Sequence, residues 1–267
     1  VRRPEDAGGL RVWWCVSGLL AFLPVHAAGH HHTRHDPAPV TVLDRVISST
    51  TPTIRALIHA RRPLPGAEGG RIVAVGMPRT PGASDLPGTA EEIRQLRERF
   101  PERVQPLGGD DATRGTVTAA LPAARWAHFA CHGQADLANP SASRLLLADH
   151  QQRPLTVVDV ARLRLDSAQL AFLSACETAR PGGRLADEVI NLAAAFQLAG
   201  YRHVIGTLWP IGDQHAVEIA DHIYTLLGTN GADADNVAVA VHTATRRLRD
   251  RWPHEPSVWA PHIHAGA

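Results

Sequence analysis

Two short phrases constrain this chain more than anything else in it: Ala127-His128-Phe129-Ala130-Cys131-His132-Gly133 and Ala171-Phe172-Leu173-Ser174-Ala175-Cys176-Glu177. Each is an apolar run without helical spacing that stops at a small residue followed by a reactive side chain. A run of that kind reads as a buried strand of a parallel sheet. In open α/β sheets, sites are built at the carboxyl ends of neighbouring strands. If the two strands are neighbours, His132 and Cys176 emerge at one edge, an imidazole beside a thiol.

Around these runs, strand and helix patterns alternate. Thr41 to Ser49 reads as extended, and Thr51-Pro52-Thr53 opens a helix to about Arg61. The stretch 61–70 is rich in Pro and Gly and reads as a loop and internal boundary. Arg71 to Val75 is a strand ending at Gly76, and no Gly-rich phosphate loop follows it. Thr89 with Glu92 predicts a capping box ahead of Ile93, Leu96 and Phe100. A strand near Val104 to Leu107 and a helix from Thr113 to Leu121 come next. Gln134 to Ser143 is a polar loop that frames the strand end, before a hairpin around Asp149-His150-Gln151-Gln152. Thr156 and Asp159 cap a helix to about Leu165. Past the Cys176 strand, the pattern predicts a helix from Asp187 to Ala199 stopped by Gly200, and a strand from His203 to Leu208. Helices over Gln214 to Leu227 and Asn236 to Arg251 and a last strand near Val258 to His264 follow. The alternation predicts a doubly wound α/β sheet.

The totals exclude several function classes. With 44% hydrophobic and 20% charged residues in 267, the chain is an ordinary globular composition. A formal charge of +1 gives no basis for binding nucleic acid or an anionic membrane surface. Every basic residue is Arg, which reads as the bias of a GC-rich bacterial genome. Cys15, Cys131 and Cys176 lack framework spacing, so a reducing cytoplasmic location is expected. Arg2-Arg3, the apolar stretch Val12 to Val25 and Ala27-Ala28-Gly29 resemble a secretory signal, but Glu5, Asp6, Arg11, Pro24 and His26 interrupt it; a core strand and turn is the expectation. His30-His31-His32 with His35 lacks a second ligand set and reads as a surface loop.

A thiol with an ordinary pKa near 8.5 is only a few per cent thiolate at neutral pH. A neighbouring imidazole changes this, either by pairing as imidazolium with the thiolate or by removing the proton during attack; general-base help is worth roughly 10²–10⁴ in rate. The backbone N–H of Gly133 can approach a substrate closely, and with that of Cys176 it would form an oxyanion hole. No Asp or Asn stands out to fix the imidazole tautomer, which leaves a backbone carbonyl for that task. Cys131 precedes His132 directly; alternation turns it to the opposite face, where it is packing.

His132-Gly133 and Ala175-Cys176, 44 positions apart, resemble the His-Gly and Ala-Cys pair of the caspase-like peptidases, a group that includes caspases, gingipains, legumain and separase. The longer phrases His128 to Gly133, Leu173 to Thr178, Ala194 to Gly200 and Gly206 to Pro210, with Asp44-Arg45-Val46 and Trp259, are similar to those of the CHAT domain. That is a caspase-like domain found with tetratricopeptide repeats in many bacterial proteins. The resemblance implies a caspase-hemoglobinase-like fold, a three-layer α/β/α sandwich with a mostly parallel sheet. It implies residues 1–11 as a lead-in and 12–267 as a single domain, with 12–65 its N-terminal part and 66–267 the catalytic core. It also implies a cysteine endopeptidase in bacterial signalling or defence, with Cys176 as nucleophile and His132 as general base. The expected partners are a protein or peptide substrate and a repeat-containing regulator; no cofactor or metal is implied. Some caspase-like enzymes read a basic side chain before the cut, for which Asp136, Glu177 and Asp213 are the candidates. Asp187 and Glu188 read as first-turn helix residues. Two rival readings are a catalytically silent interaction module and a secreted hydrolase.

Overall fold

A computed structural model of the chain describes residues 9–62, 70–136, 138–174, 191–229 and 236–267. The first elements are β1 (Arg11–Trp14), β2 (Ile47–Thr50), α1 (Ile54–Ala60) and β3 (Arg71–Gly76). Next come α2 (Gly88–Arg99), β4 (Val104–Gly108), α3 (Arg114–Ala120), β5 (Ala124–Ala130) and β6 (His132–Gln134). They are followed by β7 (Arg144–Leu146), β8 (Leu155–Thr156), α4 (Val157–Ala161) and β9 (Leu170–Ser174). The last are α5 (Leu192–Ala199), β10 (His203–Thr207), α6 (Asp213–Thr229), α7 (Val237–Arg251), α8 (Pro256–Trp259) and β11 (His262–Gly266).

Among the described residues, eight strands form one sheet in the order β1-β2-β11-β10-β9-β5-β3-β4, and β6-β7-β8 form a second. In the large sheet only β10 and β11 pair antiparallel. The runs that lacked helical spacing are its central strands because both faces are covered. Along β3, Val73 and Val75 enter one core while Ile72 and Ala74 enter the other. The first core holds Val117 of α3, Val160 of α4 and Phe196 of α5, together with Leu145 and Leu155 of the small sheet. The second holds Leu96 of α2, Ile219, Ile223 and Tyr224 of α6, and Val241 and Leu248 of α7. Two apolar layers flank one mostly parallel sheet, the three-layer α/β/α arrangement that the resemblance implies. No helix among the described residues is long and apolar enough to cross a membrane.

Several local expectations need correction. The extended stretch expected over Thr41 to Ser49 is a strand only from Ile47. Before it, Asp44 turns inward to Arg249 of α7, with Nη1–Oδ2 2.7 Å and Nη2–Oδ1 2.9 Å, both side chains buried. Thr89 and Glu92 make no capping box. Pro87 holds the N-cap position with helical angles, Thr89 lies inside the first turn, and its hydroxyl donates to the Leu86 carbonyl. The α4 helix ends at Ala161 rather than Leu165. The helix expected from Asp187 starts at Leu192, because Asn191 is extended and its side chain accepts the Ala194 N–H; Asp187 and Glu188 lie outside the described residues. Gly200 does end α5, at φ +128°, where a Cβ would stand 2.4 Å from the Leu165 carbonyl oxygen. The last strand begins only at His262, since Pro256 starts the short α8 first.

The expected histidine-rich surface loop is partly docked. His31 bonds the Ala27 carbonyl through Nε2 at 2.7 Å, and its ring lies 4.9 Å from that of Trp259. Among the described residues, no three His, Cys, Asp or Glu side chains gather as metal ligands.

Candidate functional site

The two phrases occupy neighbouring strands. β5 and β9 run parallel, with Trp126 opposite Leu170 and Ala130 opposite Ser174, so their carboxyl ends are level. Beyond β5, Cys131 is buried in the first core, and His132 begins β6 of the small sheet, opposite Leu146. The chain thus leaves one sheet and enters another within two residues. That change sends Cys131 into packing and leaves His132 partly exposed at the strand edge.

His132 is held by a carbonyl. Its Nε2 lies 2.8 Å from the oxygen of Ser84, in the loop between β3 and α2. A carbonyl oxygen only accepts, so Nε2 carries the proton and Nδ1 of the neutral ring is left as a base. The Ser84 loop is itself closed on several sides. Met77 N–H donates to the Ala130 carbonyl, Leu86 N–H to that of Pro78, and His150 Nε2 bonds the Pro81 carbonyl at 2.9 Å. Two imidazoles therefore tie this loop to the strands and hairpin around it.

Beneath this edge, on the second-core side of β5, sits a buried polar group that sequence reasoning missed. His128 is fully buried, with Nε2 3.1 Å from Glu92 Oε2 and Nδ1 3.1 Å from the Tyr224 hydroxyl. The contact with Glu92 is close but poorly aligned for a hydrogen bond. Burial, then the neighbouring Glu92 charge, pushes the Tyr224 hydroxyl well above its usual 10, so it stays a donor. The same Glu92 carboxylate that the sequence pattern offered as a helix cap instead faces His128 of β5 across the second core.

The remaining candidates fall as follows. Gly133 lies in β6 opposite Leu145, partly buried. Asp136 receives the N–H groups of Ala138 and Asn139 on Oδ1, at 3.0 and 2.8 Å, and closes a local turn. Asp213 does not cap its own helix α6; its Oδ2 accepts the N–H of Gly88 at 2.6 Å and caps α2. A Cβ on Gly88 would come within 2.7 Å of that carboxylate, which would have to shift to make room. Cys176 and Glu177 lie outside the described residues. The structure brings together the strand ends and the orienting carbonyl. That carbonyl belongs to Ser84, and a main-chain acceptor leaves no signature in a sequence.

The model of the CHAT domain family matches residues 2–267, and no curated protein matches the chain. Among solved structures, the fold is similar to separase in the separase–securin complex of Saccharomyces cerevisiae, with TM-score 0.67 at 14% identity. That match covers 96% of this chain and 15% of the separase chain. It is also similar to the Arg-specific cysteine proteinase gingipain R, with TM-score 0.59 at 11% identity over 84% of this chain and 55% of that one. The complex of the pro- and mature domains of RgpB from Porphyromonas gingivalis gives 0.54 at 13% identity, over 83% and 55%. This chain therefore spans a small part of the separase chain and about half of the gingipain chains. Identities this low speak for shared architecture, and the match of the family model over nearly every residue shows that the chain belongs to the CHAT domain family.

Proposed function

We propose that this chain is a cysteine endopeptidase acting in bacterial signalling or defence, with Cys176 as nucleophile and His132 as general base. The observation that carries the reading is the level, parallel end of β5 and β9 with the His132 ring fixed by Ser84. Cys176 follows Ser174 by two residues, a reach of at most about 7 Å, and adjacent strands stand about 4.8 Å apart. Nδ1 of His132 would take the thiol proton as the sulfur attacks the peptide carbonyl, then return it to the leaving amine. The N–H groups of Gly133 and Cys176 would hold the oxyanion, where loss of a donor costs about 10²–10³ in turnover. A basic side chain before the cut would be read by Asp136, Glu177 or Asp213; Asp136 and Asp213 also hold backbone amides.

The test is labelling of the full chain by a peptidyl acyloxymethyl ketone. The wild type is expected to label at Cys176, Cys176→Ala not at all, and His132→Ala slower by about 10²–10⁴. Labelling that persists in Cys176→Ala, on Cys15 or Cys131, would overturn the assignment. A wild type that never labels, even with candidate partners added, would favour the silent module.

A further inference from the structure

Along the same edge as His132, but beyond β9 and β10, the sheet has an opening. β2 and β11 run parallel but pair only at Thr50 and Ala265. His262, at the far end of β11, pairs instead with Thr207 on the other side. The two strands therefore diverge toward the edge where β10 ends. A cavity of about 80 Å³ lies in this opening, between α5 on one face and α7 on the other.

Its described wall is mostly apolar, but several buried polar atoms face it without a partner. Gln197 of α5 has neither its amide oxygen nor its amide nitrogen bonded, although the residue is only 6% exposed. From the other side come the Thr245 hydroxyl of α7 and both ring nitrogens of His262, each buried and without a partner. His26 adds Nε2, also unpartnered. Buried polar atoms in folded proteins are nearly always bonded, so four such side chains around one space call for an occupant. Among the described residues, no Asp, Glu or Arg lines the cavity. None of these described residues carries a fixed charge to neutralise an ion, and they form no metal-ligand group. The wall offers donors and acceptors side by side, with Ala193, Val241 and Leu43 as apolar surroundings. A cavity of about 150 Å³ admits benzene; this one suits a group of about four heavy atoms.

We propose that the cavity between β2 and β11 binds the carboxamide group of a small uncharged ligand. The amide oxygen and NH₂ would meet the complementary pair on Gln197, with Thr245 and His262 completing the ring of bonds. Acetate has the same shape but a charge that this wall cannot pair, and acetone lacks the donor.

The test uses the full-length Cys176→Ala chain, so that its outcome is independent of catalysis. Acetamide, acetate and acetone are titrated while the histidine ring resonances are followed by NMR. Acetamide is expected to saturate, with shifts at His26 and His262, and to bind at least about tenfold tighter than either isostere. Gln197→Leu and the isosteric Thr245→Val are expected to weaken acetamide by about tenfold each while the fold, checked by circular dichroism, persists. Failure of acetamide to saturate, equal binding of acetate, or unchanged affinity in whichever of the two variants folds would overturn the proposal. Ring shifts with none of the three probes would show that water alone occupies the space.

Discussion

Lowering the pH from about 7.5 to about 5 should destabilise this protein well before its carboxylates titrate. His26 and His262 are buried against one another's neighbourhood, and burial is the main reason both resist protonation. Burial, then the facing His242, brings His26 from its ordinary 6.5 to about 4, against a bond to the Ala260 carbonyl that raises it. Burial, then His26, takes His262 to about 3. His264 is held well below 6.5 by burial, then by His203 and Arg11. Each depressed value means that the unfolded chain binds the proton more tightly, so stability is full above about pH 6.5 and is lost as pH falls toward the folded values. At pH 5, a shift from 6.5 to about 4 or about 3 is worth about 2 kcal/mol, hence about 4 kcal/mol for His26 and His262 together. That is a large share of the ~5–15 kcal/mol that holds a typical fold. The assay is urea unfolding followed by tryptophan fluorescence at several pH values. With a slope of roughly 3 kcal/mol per M, the midpoint should fall by roughly 1 M. His262→Asn should remove about half of that dependence. A midpoint that stays put between these pH values would refute the reasoning, because it would mean that the imidazoles protonate in place without strain.

Three further outcomes rest on named contacts. Arg249→Met leaves the Asp44 carboxylate, which burial pushes up but the Arg249 and Thr41 bonds hold below its usual value, to Thr41 and the more distant Arg246 at 3.6 Å; a loss of about 3 kcal/mol, the low end for a broken buried pair, is expected in chemical denaturation, partly recovered in Asp44→Ala/Arg249→Met. Asp213→Ala uncaps the Gly88 N–H and should cost about 1 kcal/mol, read as a lower urea midpoint; no change would mean that the carboxylate works elsewhere. Gly200→Ala forces a side chain onto the Leu165 carbonyl at a left-handed position. It should cost more than the ~1 kcal/mol of an ordinary glycine replacement, again visible in the midpoint.

Patterns confined to a few adjacent residues were readable in the sequence. The runs at Ala127 to Ala130 and Ala171 to Leu173 are apolar apart from His128, because both faces of β5 and β9 are covered, and that is visible one residue at a time. Thr53, Thr113 and Thr156 cap the helices they precede, since a cap is a contact over three positions. The same local rule misled at Thr89 and Glu92. There a helix N-terminus found its acceptor in Asp213, 125 positions away, and Glu92 found His128 across the core.

The residue types at the strand ends, their order and the parallel sheet that carries them follow from the sequence alone, because apolar burial and local capping are properties of neighbours in the chain. What folding alone decided is the choice of long-range partners: Ser84's carbonyl for the His132 ring, Arg249 for Asp44, and the parting of β2 from β11. Main-chain acceptors and gaps between strands carry no side-chain identity, so only the packed chain can specify them.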